Sequence, residues 1–278
     1  MDNRSSQVTY ITPSRAWYNI GIAELISARD LLMVFTRRTI AVQYRQTILG
    51  ISWAIINPVV GTVIFTVIFG KLAGLPSNGL PYPLFALSGL VAWQYFSRAV
   101  SNGSSSLLSN ANIINKVYFP RMVLPISSVL ASLVDFAVNL AVLFVFVIIY
   151  GRFFNFQIIF LPLFVALLML LVIGISLLLS ALNAVYRDIS HIVPFLLQTW
   201  MYLTPIIYPV DLVPQAWRWV LYLNPLTMVV QGMRWSVFPD AVQLDWVGFA
   251  VSLPIIAILF AAGLAVFRLI EPVVVDRI

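Results

Sequence analysis

From Phe153 to Tyr186 the chain carries no charged side chain. A helix crosses a hydrocarbon core of about 30 Å with about 20 apolar residues, so this run alone commits the chain to lipid. This run holds the span Ile158–Leu182, and in chain order the spans cover Ile51–Gly70, Leu84–Val100, Val123–Tyr150, Ile158–Leu182, Ile192–Tyr208 and Trp246–Phe267. The third is long enough to tilt or protrude, and the fifth is interrupted by Pro194 and Pro205. The chain is 61% hydrophobic and 9% charged, against about 25% charged in a soluble domain. So few charges cannot coat a water-facing surface. The expected fold is an all-α integral membrane protein with six transmembrane helices.

The segment "VPQAWRWVLYLNPLTMVVQGMRWSVF" (213–238) resists that count. A single straight span would bury Arg218 and Arg234 and would break at Asn224-Pro225. Two short helices re-entering from the outer side and meeting at Asn224-Pro225 fit better, because non-helical backbone at membrane depth is tolerated where protein covers it. Charge placement tests the arrangement. Six spans put Arg4, Arg15, Arg29, Arg37, Arg38, Arg45, Lys116, Arg121, Arg187, Arg268 and Arg277 on one side, and only Lys71, Arg152, Arg218 and Arg234 on the other. Basic residues accumulate on the cytoplasmic side, so both termini are expected there. A seventh span would send Arg268 and Arg277 outside.

Residues 24–48 are expected to form an amphipathic interfacial helix after a cytoplasmic tail (1–23). At about 100° per residue, Ser27, Asp30, Arg37, Arg38 and Arg45 share one arc, and Leu25, Ala28, Leu31, Leu32, Phe35 and Val42 the rest. Such a helix either anchors the chain or sets its basic face in headgroups or on a partner. The membrane domain then spans 49–270, with a cytoplasmic tail over 271–278. The first 17 residues lack the unbroken apolar run of a secretory signal, so insertion into the inner membrane is expected through the spans themselves.

Several chemistries are excluded. The chain has no Cys, hence neither disulfides nor thiolate metal sites. His191 is the one histidine, too few for a His-based metal cluster or a nucleophile–base pair. The net charge of +6 contains no long basic run, so no nucleic-acid partner is expected. Leu87-Ser88-Gly89 matches a nucleotide-binding signature by chance, inside the second span. Gly70-Lys71 is followed by Leu72, with Phe at 65, so the phosphate-cradling loop is absent. The chain has no ATPase of its own and no catalytic residues are expected.

What remains is a set of stretches in order: "QYRQTILGISWAIINPVV" (43–60), "NANIINKVYFPRMVLPIS" (110–127), "NAVYRDISHIVPFLLQTWMYLTPIIYP" (183–209) and "YLNPLTMVVQGMR" (222–234). Together they resemble the permease subunit of bacterial ABC exporters of O-antigen, capsule and teichoic acid, over about residues 24–270. The resemblance implies a type-two ABC membrane domain in the inner membrane. It implies a homodimer working beside two copies of a cognate ATPase subunit, and a lipid-linked polysaccharide as substrate. It implies no cofactor on this chain, ATP and magnesium being bound by the partner.

Under that resemblance the loop after the second span becomes an ATPase-docking element. Ile113, Ile114 and Val117 would supply an apolar edge, and Asn112, Asn115 and Lys116 hydrogen bonds. Tyr118 and Phe119 follow, Pro120 would end the helix, and Arg121 would mark the headgroup boundary. A solvated inter-span loop is the competing reading. The turn at Tyr186-Arg187-Asp188 is a second contact or an ordinary loop.

Two charges fall inside spans. Arg98 is placed to snorkel toward the cytoplasmic interface. Asp135 lies well inside the third span and is either a titrating group of a proton-coupled carrier or a structural acid bonded to a neighbouring helix. Most aromatics near the run ends fit an interfacial belt. By family likeness spans one and five line the path, with Trp53, Asn57, Tyr202 and Tyr208 as channel-lining candidates. Ser176, Ser180 and Ala184 recur at helical spacing and permit close packing. Alternative functions are a permease for a small amphiphile, a proton-coupled secondary carrier, disfavoured by the missing internal repeat, and a membrane glycosyltransferase, disfavoured by the missing acidic metal-binding pair.

Overall fold

The computed structural model describes residues 27–45 and 52–277. The tail 1–23, residues 24–26 and 46–48 of the expected interfacial helix, Ile51 and Ile278 lie outside them. The described chain is helical, in the order α1 (Arg29–Tyr44), α2 (Ser52–Phe65, continued by a π-helical stretch over Thr66–Leu72), α3 (Tyr82–Ser109), α4 (Ala111–Ile114), α5 (Val123–Ala131), α6 (Leu133–Ile149), α7 (Leu161–Val185), α8 (Ile189–Leu203), α9 (Arg218–Leu223), α10 (Pro225–Val237) and α11 (Trp246–Arg277). Among the described residues four stretches are long and apolar enough to cross a membrane: Ser52–Leu72, Val123–Ile149, Phe156–Val185 and Trp246–Val274.

The other two expected spans fall short, for separate reasons. Helix α3 is long enough, but its second half, "SRAVSNGSSSLLS", is too polar. Helix α8 stops at Leu203 instead of reaching Tyr208, because Thr204 adopts an extended backbone ahead of Pro205, where the proline ring disfavours helix in the preceding residue. At the far end, α11 runs through Arg277 and takes in most of the segment expected as a tail.

Close backbone approach builds the middle of the bundle. Ser176 and Ser180 are fully buried and Ala184 nearly so. A Cβ at Gly103 of α3 would collide with Ser176 of α7, and one at Gly263 of α11 would run into the Gly174 carbonyl of α7. Small residues on facing helices thus let α3 and α11 flank α7 nearly backbone to backbone. The contacts are also polar: Asn183 Nδ2 donates to the Ser104 carbonyl at 2.9 Å. Helix α2 differs, with Val60, Val63, Ile64, Val67 and Ile68 all exposed.

The two ends of the bundle are tied differently. At one end Phe35, Ile114, Phe119, Met122, Leu264, Phe267 and Val274 form a separate apolar cluster. It joins α1, the loop after α3 and the end of α11. At the other end Asn78 Nδ2 donates to Asp211 Oδ2 at 3.1 Å and Asn155 Nδ2 to Asp240 Oδ2 at 3.2 Å.

Substituting Gly263 by Leu is expected to cost more than the about 1–3 kcal/mol of ordinary overpacking, because the obstacle is backbone. The check is thermal unfolding and size-exclusion profile of the detergent-purified chain, with loss of the monodisperse peak expected.

Candidate functional site

Three features of the sequence carried functional expectations, and each has a defined setting. The first is the loop after α3. Its helix is one short element, α4, ending at Ile114, well before Pro120. Ile114 was expected on the apolar docking edge and Phe119 within the docking element. Both are buried within the chain instead, Phe119 stacked on Phe35 of α1 with ring centroids 5.4 Å apart, and Ile113 packs beside them. Apolar side chains beside a neighbouring helix bury there because that removes them from water at once. The exposed face is Asn112, Asn115, Lys116, Val117 and Tyr118, the last two 58% and 79% accessible. Arg121 holds the base of the loop: its backbone N–H donates to Glu271 Oε1 at 3.3 Å and its guanidinium to the Glu271 carbonyl. Glu271 in turn pairs with Arg268 at 2.9 Å. A cavity of about 260 Å³ opens beside Lys116, Val117 and Tyr118.

The second feature is Asp135 on α6, 4% exposed. Arg98 of α3 does not snorkel outward; it forms an ion pair with Asp135. Tyr44 Oη of α1 donates to Asp135 Oδ1, and Gln43 Nε2 to Oδ2 at 2.7 Å. Burial first, then the bond to Asp135, raises the Tyr44 hydroxyl above its ordinary range, which keeps it a donor. A buried acid costs free energy unless paired and hydrogen-bonded, and three elements converge to meet that requirement. One turn deeper on α6, Asn139 Nδ2 donates to Gln94 Oε1 at 2.9 Å.

The third feature is the 204–238 region. The break at Asn224-Pro225 lies between α9 and α10. Asn224 works in several directions: its Oδ1 accepts from Leu226 N at 3.2 Å and Trp200 Nε1 at 2.9 Å, and its Nδ2 donates to Thr204 Oγ1 at 2.9 Å. Arg218 stays partly exposed, beside Asp211 at 3.7 Å. Arg234 is fully buried. Its Nη1 donates to the Pro205 carbonyl at 2.6 Å, its Nη2 to those of Ile206 at 2.6 Å and Phe85 at 3.1 Å, and its Nε to Ser88 Oγ at 3.2 Å. The guanidinium also lies 3.9 Å from the centroid of the Phe85 ring, a cation–π contact. Sequence reasoning missed this network. The signals were a glycine in mid-span and a proline that frees carbonyls: a Cβ at Gly89 would strike Arg234 Nη2, and Ser88, dismissed with Leu87 and Gly89 as chance, supplies an acceptor.

At the start of α11, Asp245 caps the helix through the backbone N–H of Val247 at 3.0 Å and of Gly248 at 3.2 Å, and accepts from the Tyr222 hydroxyl. Burial alone would raise its carboxyl. The bonds from Tyr222, Gly248 and Val247 and the charge of Arg218 together hold it below the usual range.

The four channel-lining candidates are not gathered within one chain. Trp53 and Asn57 line a cavity of about 480 Å³ beside Arg98 and Asp135. Tyr208 lines an apolar groove of about 560 Å³ with Trp200 and Trp217. Tyr202 is exposed and accepts from Tyr208 Oη, at 3.2 Å, on its backbone carbonyl. The Tyr186-Arg187-Asp188 turn is at the surface, with Tyr186 exposed.

Comparison with known proteins fits this helical frame. The sequence profile described as "ABC-2 type transporter" matches residues 30–238, from α1 through α10. The chain belongs to the ABC-2 transporter membrane family. An O-antigen export system permease protein RfbA of Klebsiella pneumoniae is 30% identical to this ABC-2 chain over 240 residues, 86% of this chain and 91% of the relative. The protein of the same name from Myxococcus xanthus is 28% identical over 249 residues, 87% and 93% of the two chains. Polysialic acid transport protein KpsM of Escherichia coli is 27% identical over 241 residues, 83% and 90%.

Arg234→Lys is expected to lower the thermal midpoint markedly, since one ammonium cannot serve three carbonyls in a fork and orphaned buried acceptors cost about 1–3 kcal/mol each. Arg218→Ala should cost under about 1 kcal/mol, as a partly exposed pair does. Equal effects in thermal unfolding would contradict this assignment. Asp135→Ala leaves the partly exposed Arg98 unpaired and the Tyr44 and Gln43 donors without their acceptor and should cost about 1–3 kcal/mol, with the Arg98→Ala/Asp135→Ala pair costing little more than Asp135→Ala alone in the same measurement.

Proposed function

We propose that this chain is the channel-forming permease of an ABC exporter that carries a lipid-linked surface polysaccharide across the inner membrane. The observation that carries the reading is similarity to O-antigen and polysialic acid transport proteins over at least 83% of this chain and 90% of theirs. The chain holds no nucleotide-binding loop, so the work comes from a separate ATPase, which binds ATP and magnesium. Two permease copies form the conduit beside two ATPase copies, with Trp53, Asn57, Tyr202 and Tyr208 along its wall. Aromatic faces and scattered amides suit a sliding sugar chain, which needs many weak contacts rather than one tight site.

In this reading α2, α3, α5–α6, α7, α8 and α11 are the six spans, and α9–α10 re-enter from the outer side. Three observations support an even count. Phe119 after α3 packs on Phe35 of α1. Arg121 binds Glu271 at the end of α11. The Asn78–Asp211 and Asn155–Asp240 bonds join loops of the opposite end. The first end collects Arg29, Arg37, Arg38, Lys116, Arg121 and Arg268 and is the cytoplasmic one, with α1 at the membrane interface.

The ATPase docks on the exposed face of the loop after α3. Lys116, Val117 and Tyr118 provide a charge and an apolar surface on a base held by Phe119, Ile114 and Arg121. Lys116→Glu with Tyr118→Asp should reduce co-purification of the ATPase at least about tenfold, a loss in keeping with removal of interface hot spots, with membrane insertion intact. Ile114→Asp should instead reduce folded yield. Undiminished association in the double variant would refute the docking face. The cargo assignment has its own test: deleting the gene in its host should remove the surface polysaccharide and leave lipid-linked glycan inside. A retained surface glycan with impaired efflux of small amphiphiles would favour the other class of cargo.

A further inference from the structure

The polar cleft beside Asp135 holds more than its ion pair requires. Two cavities meet there, one of about 260 Å³ and one of about 480 Å³, sharing Ala54, Asn57, Arg98 and Asp135 as walls. The outer one includes Trp53, half exposed. The inner one reaches Tyr95 and Asn139, which are 2% and 4% exposed. Asn139 Oδ1 and Tyr95 Oη are both buried without a hydrogen-bond partner. Buried polar atoms are nearly always satisfied, so two orphans lining one cleft point to a ligand that supplies their bonds.

The chemistry narrows that ligand. The amide oxygen of Asn139 accepts only, so the ligand must bring a donor. A phosphodiester or pyrophosphate bridge offers acceptors alone. An anion would also compete with Asp135 for Arg98 and leave a buried carboxylate uncompensated, which is costly. A hydroxyl both donates and accepts, satisfying Asn139 Oδ1 and Tyr95 Oη together. Trp53 at the mouth adds an aromatic face of the kind on which the CH face of a sugar ring packs. A cleft of this size lies within the range of small-ligand sites, about 300–1,000 Å³.

We propose that the cleft between α2, α3 and α6 is a binding subsite for a neutral, hydroxyl-bearing sugar residue, engaged by Asn139 and Tyr95 at its inner end and by Trp53 at its mouth. The inference rests on the polysaccharide reading of the cargo and deepens it. It assigns recognition to the glycan itself rather than to its lipid phosphate.

Because the chain has no Cys, Asn57→Cys places a unique thiol in the wall shared by both cavities. The permease–ATPase complex in nanodiscs is treated with a hydrophilic maleimide, and labelling is read on the permease band. Two probes are compared: lipid-linked glycan extracted from the host, and farnesyl pyrophosphate, which has the phosphates and no sugar. The glycolipid should slow labelling at least about fivefold, in keeping with one or two hydrogen bonds to buried groups, and farnesyl pyrophosphate should not. Adding Tyr95→Phe, which removes one hydroxyl and little volume, should raise the half-protective glycolipid concentration by a similar factor. Asn139→Leu should abolish protection, its fold checked by thermal midpoint. Equal protection by farnesyl pyrophosphate would overturn the proposal in favour of a lipid-phosphate site. So would the absence of protection by glycolipid, or protection unchanged by Tyr95→Phe. If the deletion strain has lost its surface glycan while the thiol stays unprotected, only the subsite fails. If that strain keeps its glycan, the cargo reading itself fails.

Discussion

The packing of the 204–238 region depends on one guanidinium. Where α8 stops at Leu203, the carbonyls of Pro205 and Ile206 lose their helical partners inside a buried layer. An unsatisfied carbonyl costs several kcal/mol in an apolar medium. Arg234 meets both with short bonds and takes the Phe85 carbonyl as well. Tyr82 Oη completes the set by donating to Ile207 at 2.8 Å. A carboxylate partner would have satisfied the charge but not the carbonyls. The fork geometry of arginine does both, with the Phe85 ring face sharing the charge. This contact fixes α10 against α3, and α10 in turn packs on α7, where Gly232 makes room for the Phe164 ring.

A second constraint acts at the base, where apolar packing rather than hydrogen bonding decides. The backbone bonds of the loop after α3 are local turns, and Phe119, Ile114 and Met122 give it a core shared with α1 and α11. Its outer face is therefore free for another protein without loss of its shape. The mixture of polar and apolar residues over 112–121 is then explained by two different surfaces on one short loop, one turned into the chain and one turned out.

Helicity and membrane character were legible from charge spacing alone, because long uncharged runs admit few folds. The Asn224-Pro225 break was legible for another reason: proline breaks a helix, and one straight span would have buried two arginines. The partner of Asp135 was not, since α3 and α6 meet through tertiary packing and no spacing rule links Arg98 to residue 135. The loop's inward face was missed because Ile113, Ile114 and Val117 look alike in sequence. Only the position of Phe35 decides which of them α1 covers. Arg234 was read as an outer-side charge. Its burial was not foreseen: an arginine near a helix break can be held by backbone carbonyls, and the clue is the proline that frees them.

Helix α1 is held at two separated points. Phe35 grips the loop after α3 through its stacked ring, and Gln43 and Tyr44 grip Asp135. The nine helical steps from Phe35 to Tyr44 span about 14 Å, and a helix that short is stiff. The loop that carries Tyr118 and the carboxylate that closes one wall of the polar cleft are thus fastened to one and the same rigid rod.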